Sequence, residues 1–407
     1  MNSSKIFCLA PFINYTYKNN SSHITQRPCC ETEDDRFMTN STDITDNFFY
    51  DYWNGDFINE IRKTMLENKP HEVCTKCFQT EQLTGYSARS QYDEWVKTYK
   101  IENINLDKPL SMDYRPSNLC NLKCRMCSPS SSSEWAEEVF ENQIEYKNIG
   151  PLYGPMSTES HLYDKKKSAD YRVVKIPTTG LKRVKFLGGE PFMSEEIFDF
   201  CSKWVESGVA PEMILNFTTN ATNFSKKWID LLKHFKQIRL TISLDSIEEN
   251  FEYIRTSANW KKVSSNFINI QKNTNFKVKF SFTLQMYNIF NCLDIVKWLL
   301  EWNKEYKNSL DHEHFFAPVS YNWLSTNVLT EEDTNKIKKQ LIDFSTANPL
   351  SFVYIEQILK IMDFDKLRDD STISDIKEQF KNWTLALDKI RKTSLTDINE
   401  EYKKYLI

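Results

Sequence analysis

Between about Leu110 and Ser325 the chain alternates short β-rich runs with amphipathic helical stretches. That alternation restricts it to a parallel sheet with crossover helices. The strand-like runs are Leu110–Tyr114, Arg183–Leu187, Met213–Thr218, Ile238–Leu244, Lys277–Leu284 and His314–Val319. Between them the pattern predicts helices over Ser194–Glu206, Ser225–Phe235, Glu249–Lys272 and Ile289–Tyr306. In the first of these, Ile197, Phe200, Cys201, Trp204 and Val205 share one apolar face. Six units fall short of the eight of a closed barrel, so the expected architecture is α/β with a partial barrel.

The flanks differ from this middle. Residues 1–107 hold five of the ten cysteines and read as a small cysteine-rich α+β module, leaving 108–325 for the barrel. Residues 326–407 read as a helical extension over Thr330–Phe344, Ser351–Asp363 and Ile373–Ile390, with Thr330 ahead of Glu331 and Glu332 as an N-terminal cap. The extension carries no cysteine or histidine and is expected to cover the open edge of the barrel. One connection, Ile144–Thr178, is too long for an ordinary loop and reads as a lid or an insertion. It holds Gly150, Pro151, Gly154, Pro155 and the solvated run Lys165–Lys167.

A net charge of −4 points to neither a nucleic-acid partner nor an acidic membrane surface. No window approaches the roughly 18 apolar residues of a membrane span. The apolar stretch Ile6–Ile13 is short, contains Cys8 and Pro11, and lacks a cleavage pattern, so the chain is expected to be cytoplasmic. Thiols stay reduced there, and ten cysteines then point to metal rather than disulfides. Glycine is scarce, with eight in the chain, yet Gly188 and Gly189 are adjacent. Such a pair calls for backbone freedom or close approach.

Cys120, Cys124 and Cys127 follow directly on the first strand of the barrel region. Three thiolates on one loop suit an iron–sulfur cluster or zinc, and three rather than four leave one metal position open. This C-x3-C-x2-C triplet resembles the signature of the radical S-adenosylmethionine (SAM) superfamily and, with it, a (β/α)6 TIM-like barrel. Phe186-Leu187-Gly188-Gly189-Glu190-Pro191 resembles that superfamily's GGEP strand end, Thr219-Asn220-Ala221 its TNG turn with alanine for glycine, and Ile242-Ser243-Leu244-Asp245 followed by Arg255 its fourth strand. The resemblance implies a [4Fe–4S] cluster on Cys120, Cys124 and Cys127. It also implies SAM contacts from Met126 near the adenine, Gly188, Gly189, Glu190 and Pro191 at the amino group, Asn220, Ser243, Asp245, and Arg255 at the carboxylate. The alternative is a zinc ribbon joining Cys74 and Cys77 to Cys124 and Cys127, which leaves Cys120 unexplained.

A second constellation lies upstream: Cys8 with Pro11 and Phe12, Pro28-Cys29-Cys30, and Cys74-x2-Cys77. With Tyr52-Trp53-Asn54-Gly55 and Ile61-Arg62 between, it resembles the SPASM/twitch modules of radical SAM enzymes, in the shorter twitch form, although here it precedes the barrel. The resemblance implies an auxiliary [4Fe–4S] cluster on Cys8, Cys29, Cys74 and Cys77. Cys29 is preferred because it follows Pro28, Cys30 stays open as the alternative, and the same thiols suit zinc. Glu81, Ser87 and Arg89 follow, with Arg89 read as a salt-bridge partner ahead of a substrate-carboxylate ligand. Cys201 and Cys292 read as core.

The implied activity is reductive cleavage of SAM to a 5′-deoxyadenosyl radical that abstracts hydrogen from a substrate. That substrate is expected to be a peptide or protein side chain. The alternatives are an oxidoreductase or epimerase acting on a sugar or aminocyclitol, and, in another class, a non-catalytic zinc-stabilised binding protein. Expected partners are the substrate and an electron donor such as a reductase, flavodoxin or ferredoxin.

Overall fold

The computed structural model describes residues 6–19, 23–32, 35–40, 45, 47–84, 87–98, 107–147, 149, 179–306, 316–367 and 373–407. Gly150, Pro151, Gly154, Pro155, Lys165–Lys167 and His314 lie outside the described residues. The described chain is α/β with a mostly parallel sheet, as its alternation predicts. It divides into two compact units. One holds residues 6–119, 179–217 and 230–237, the other 120–149, 218–229 and 238–407. Among the described residues no helix is long and apolar enough to cross a membrane.

The first unit is built on strands β1 (Asn14–Asn19), β2 (His23–Arg27), β3 (Met38–Asn40), β4 (Ser111–Arg115), β5 (Arg183–Phe186) and the start of β6 (Ile214–Thr219), in the order β3-β2-β1-β4-β5-β6. The first three are antiparallel neighbours, whereas β1, β4, β5 and β6 run parallel. The cysteine-rich N-terminal region therefore extends the sheet, with β1 paired to β4 from Asn14↔Ser111 to Lys18↔Arg115. Sequence reading treats this region as separate because β1 is β-branched-poor and no crossover helix announces the pairing. One face of the sheet is aromatic: Tyr17 stacks on Tyr114, Phe186 on Phe217, and Tyr114 and Phe186 meet Phe200 and Trp204 of the helix Glu195–Glu206. Ser194 caps that helix by accepting from the Ile197 N–H at 3.2 Å. Cys201 is fully buried on it, in the core role expected of it.

The second unit carries β7 (Gln237–Ser243), β8 (Lys277–Leu284) and β9 (Phe316–Pro318), paired in parallel from β7 to β8 and from β8 to β9. Alternate residues of β8 are buried, which is why its bounds coincide with the predicted ones. The single helix expected over Glu249–Lys272 is two, Glu248–Ile254 and Trp260–Asn273. The break has local causes: Ser257 takes a positive φ of 78°, and Asn259 caps the second helix by accepting from the Lys262 N–H. The break also turns Arg255 inward. Helices Glu331–Ala347, Phe352–Leu367 and Ile373–Arg391 form the extension, with Thr330 capping the first as expected. Cys292 is buried at the start of the helix Cys292–Glu305, a core position as expected.

Candidate functional site

Cys120, Cys124 and Cys127 lie in one irregular segment of the second unit, packed with Leu122, Met126 and Ala258. The segment is tied down on several sides. The Lys123 and Arg125 N–H groups donate to the Thr256 and Ile254 carbonyls at 3.0 and 2.8 Å. Ser133 brackets Cys120, its Oγ accepting from the Cys120 N–H and donating to the Cys120 carbonyl, and Trp135 Nε1 donates to the Cys124 carbonyl at 2.6 Å. Two donors approach the sulfurs themselves: Asn220 Nδ2 stands 3.8 Å from Cys120 Sγ, and Arg255 Nη1 3.7 Å from Cys124 Sγ. Burial pushes the Cys127 thiol up to about 12 and raises Cys124, which Arg255 pulls back down.

Arg255 is anchored by Asp245, whose Oδ2 accepts from Nε at 2.8 Å and faces Nη2 at 2.8 Å. Asp245 Oδ1 accepts from the Thr283 N–H at 2.7 Å. The sequence expectation made both residues SAM contacts. Both Asp245 oxygens have partners within the protein, and the aspartate orients an arginine facing a cysteine sulfur. Asn220 is held by Thr222, whose N–H and hydroxyl donate to Asn220 Oδ1 at 2.9 and 2.7 Å. Ala221, where the resembling turn has glycine, adopts a φ of 56°. Ser243 ends β7, paired with Ser281.

In the first unit the glycine pair has a steric reason. Gly188 has a φ of 95°, and a Cβ there would lie 2.6 Å from the Ser117 carbonyl oxygen. At Gly189 a Cβ would lie 2.0 Å from the Leu119 carbonyl oxygen. The backbone approach predicted for the pair is thus to residues 117–119, just before Cys120 in the chain. Glu190 is 2% exposed, and its Oε1 accepts from the Phe192 N–H at 3.2 Å, capping the turn Pro191–Met193.

The N-terminal cysteines also separate by position. Cys8 and Cys29 are buried in one core with Ile58, Ile61 and Tyr92, and Cys74 packs against it. Cys8 feels Cys74 and Cys77, and Cys29 feels Cys30 first, then Cys8 and Cys77. Cys30 lies outside that core and feels Asp113, Lys185, Glu31 and Arg115. Burial raises Cys8 and Cys74 to about 12. Arg62 locks this core, donating to the Pro11 and Trp53 carbonyls at 2.9 and 2.7 Å and lying over the Trp53 ring. Arg89 bonds the Glu81 carboxylate and donates to the Phe7 carbonyl at 3.0 Å, so it is a partly buried brace beside Cys8.

Residues 114–288 match the family model of the radical SAM superfamily. The chain carries a radical SAM domain. Its α/β fold with a mostly parallel sheet is that of a radical SAM partial barrel. A GTP 3′,8-cyclase from Paenarthrobacter nicotinovorans is 24% identical over 130 residues, 32% of this chain and 30% of the relative. The match therefore spans under a third of that relative's length. Among solved structures, Streptococcus suis SuiB bound to precursor peptide SuiA is 14% identical, with a TM-score of 0.36, over 84% of this chain and 70% of that one. The structure of anSMEcpe with bound AdoMet is 18% identical, with a TM-score of 0.37, over 60% and 61% of the two chains.

A radical SAM domain implies SAM and a [4Fe–4S] cluster, and the triplet fits a cluster chemically. Its thiols are shielded by apolar groups, and an amide and a guanidinium are directed at two of them, as thiolate sulfur requires. Among the described residues no three His, Cys, Asp or Glu converge on a single metal-ion site. Cubane ligands each reach a different iron, so their sulfurs need not share one point.

Sequence reading missed the groups that hold the domain's cysteine loop from behind. Arg125, fully buried, pairs with Asp388 at 2.6 Å, donates to Thr393 Oγ1 at 2.7 Å and lies 3.6 Å over the Tyr253 ring. Arg391 pairs with Glu138 at 2.8 Å, and Trp383 stacks on Trp135. Asp388 and Arg391 sit on an otherwise ordinary polar helix, and nothing in their spacing distinguishes them from surface charge.

Proposed function

We propose that this radical SAM protein cleaves SAM reductively and abstracts hydrogen from a peptide or protein side chain, using Cys120, Cys124 and Cys127 to hold the SAM-binding cluster. The observation that carries the reading is the triplet packed as one group with Asn220 and Arg255 on its sulfurs. When bound, the cluster supplies the electron that splits SAM into methionine and a 5′-deoxyadenosyl radical, which takes hydrogen from the substrate. The protein's share is orientation and exclusion. Arg255 places positive charge beside Cys124 and favours its thiolate, Asn220 does the same as a neutral donor at Cys120, and Asp245 keeps Arg255 from turning away. Met126, Gly188, Gly189, Glu190, Pro191, Asn220, Ser243, Asp245 and Arg255 are the proposed SAM contacts. The barrel at 108–325, the auxiliary module at 1–107 and the extension at 326–407 are proposed as its working parts. An external reductase, flavodoxin or ferredoxin supplies the electron, in the cytoplasm.

Cys8, Cys29, Cys74 and Cys77 are proposed to hold an auxiliary [4Fe–4S] cluster. The burial of Cys29 in one core with Cys8, against which Cys74 packs, supports Cys29 as the fourth ligand. Anaerobic reconstitution should then load about eight irons per chain, and about four after removal of either cysteine set. Cys29→Ala should lose auxiliary iron while Cys30→Ala keeps it. Zinc in place of half the iron would refute the second cluster.

The test of SAM recognition is Glu190→Gln. A charge-assisted hydrogen bond to the SAM ammonium contributes about 1.5–3 kcal/mol, so affinity should fall roughly ten- to a hundred-fold. Glutamine keeps an oxygen for the Phe192 N–H, so the Pro191–Met193 turn and the iron content should be preserved. Calorimetry on the reconstituted variant reads the result, and unaltered affinity rejects the contact.

A further inference from the structure

One face of the first unit's sheet is polar where a parallel sheet is ordinarily apolar on both sides. Thr16, Asp113, Lys185 and Asn216 stand at one register on β1, β4, β5 and β6, and so point to the same face. Their chain neighbours Tyr114 and Phe186 point the other way, onto the helix Glu195–Glu206. Within this row Thr16 and Asp113 are buried, and Lys185 and Asn216 half-buried.

Three oxygens on this face are buried without a hydrogen-bond partner: Asn14 Oδ1, Asp113 Oδ1 and Asn216 Oδ1. The Asn14 amide is oriented by its own donations to Thr16 Oγ1 and the Pro28 carbonyl, which leaves the oxygen over. Arg183 reaches Asp113 Oδ1 only at 3.9 Å, while donating to Ser111 Oγ at 3.1 Å. Lys185 and Arg115 stand on the same side, among the charges around Cys30, and neither has an ion-pair partner among the described residues. Orphaned acceptors are rare in folded proteins and mark places where something else supplies the donor. Here three acceptors, one of them a carboxylate, lie beside two unpaired cations.

We infer that this face, with Asp113, Asn216 and Asn14 accepting and Lys185 and Arg115 donating, binds a ligand carrying both an ammonium and a carboxylate. Asp113 takes the ammonium and Lys185 with Arg115 the carboxylate. The row from Asp113 to Asn216 crosses two strand spacings, roughly 10 Å, which suits an amino acid or two adjacent charged side chains of a peptide. The inference names the chemistry of the substrate and to that extent rests on the proposed radical reaction.

The experiment uses the full, anaerobically reconstituted chain and calorimetric titration with L-glutamate and with N-acetyl-Lys-Glu amide. At least one should bind, with affinity falling ten-fold or more in Asp113→Asn and in Lys185→Gln. Binding of glutamate assigns a free amino acid, and binding of the dipeptide alone assigns a peptide. Failure of both to bind, or equally tight binding of inorganic phosphate or D-glucuronate, overturns the proposal. A second readout needs no ligand: Asn216→Leu should unfold at the same temperature or a few degrees higher, because a buried orphan oxygen is removed. A fall of several degrees would make that oxygen structural and also overturn it. Neither readout uses SAM cleavage. A wild type that cleaves no SAM therefore counts against the radical reading separately from this one.

Discussion

Replacing Cys120, Cys124 and Cys127 together by Ala is expected to reduce 5′-deoxyadenosine formation from SAM to the level of the protein-free reaction. The wild-type chain, reconstituted and given a strong reductant, should form it readily. The three side chains are the only cysteines of their packed group among the described residues. Loss should be complete rather than graded, because a cluster missing its ligands is not held in a weaker geometry but is absent. Iron should fall to the complement of the N-terminal set, about four per chain. Cys201→Ala supplies the control: that thiol is fully buried in the helix core of the first unit, and its loss should leave SAM cleavage in place. Chromatographic quantification of 5′-deoxyadenosine reads both. Cleavage persisting in the triple variant would remove the basis of the proposed function.

Asp388→Ala is expected to destabilise the second unit by about 3–5 kcal/mol, the cost of leaving a buried charge without its partner. Arg125 is fully buried, and Asp388 is its only carboxylate partner among the described residues. The same carboxylate accepts from the Tyr253 hydroxyl at 3.0 Å, the Thr393 hydroxyl at 2.9 Å and the Leu395 N–H at 2.9 Å. Truncation therefore strands several donors at once. Asp388→Asn, which keeps one accepting oxygen, should cost less. Joint replacement by Arg125→Met and Asp388→Leu should recover much of the loss, since the repaired pair buries no charge. Urea unfolding followed by tryptophan fluorescence measures the series, with Trp135 and Trp383 stacked close by as reporters. A cost below about 1 kcal/mol for Asp388→Ala would mean that the pair is relaxed by water and does not brace the loop.

What could be read in advance follows the range of the forces involved. Strand β8 is legible because its burial alternates at every residue, a local signal. The cap at Thr330 and the glycine pair are legible because caps and close backbone approach demand particular residue types. The break at Ser257 is not, although its causes are local, since its flanks carry continuous helical periodicity. The partnership of Arg125 with Asp388 spans 263 positions, and no local pattern encodes it. The parallel pairing of β1 with β4 is equally non-local, so the N-terminal region reads as detached although it extends the sheet.

The brace between Arg125 and Asp388 also bears on the order of events during synthesis. The cysteine loop leaves the ribosome 263 residues before the carboxylate that anchors it. At roughly 5–20 residues per second, that interval lasts about 13–53 s. Throughout it, Arg125 has no buried counter-charge to fold against, and the loop stays exposed to solvent and oxidants. The brace on the cysteine loop is therefore completed only once the helix Ile373–Arg391 has been made.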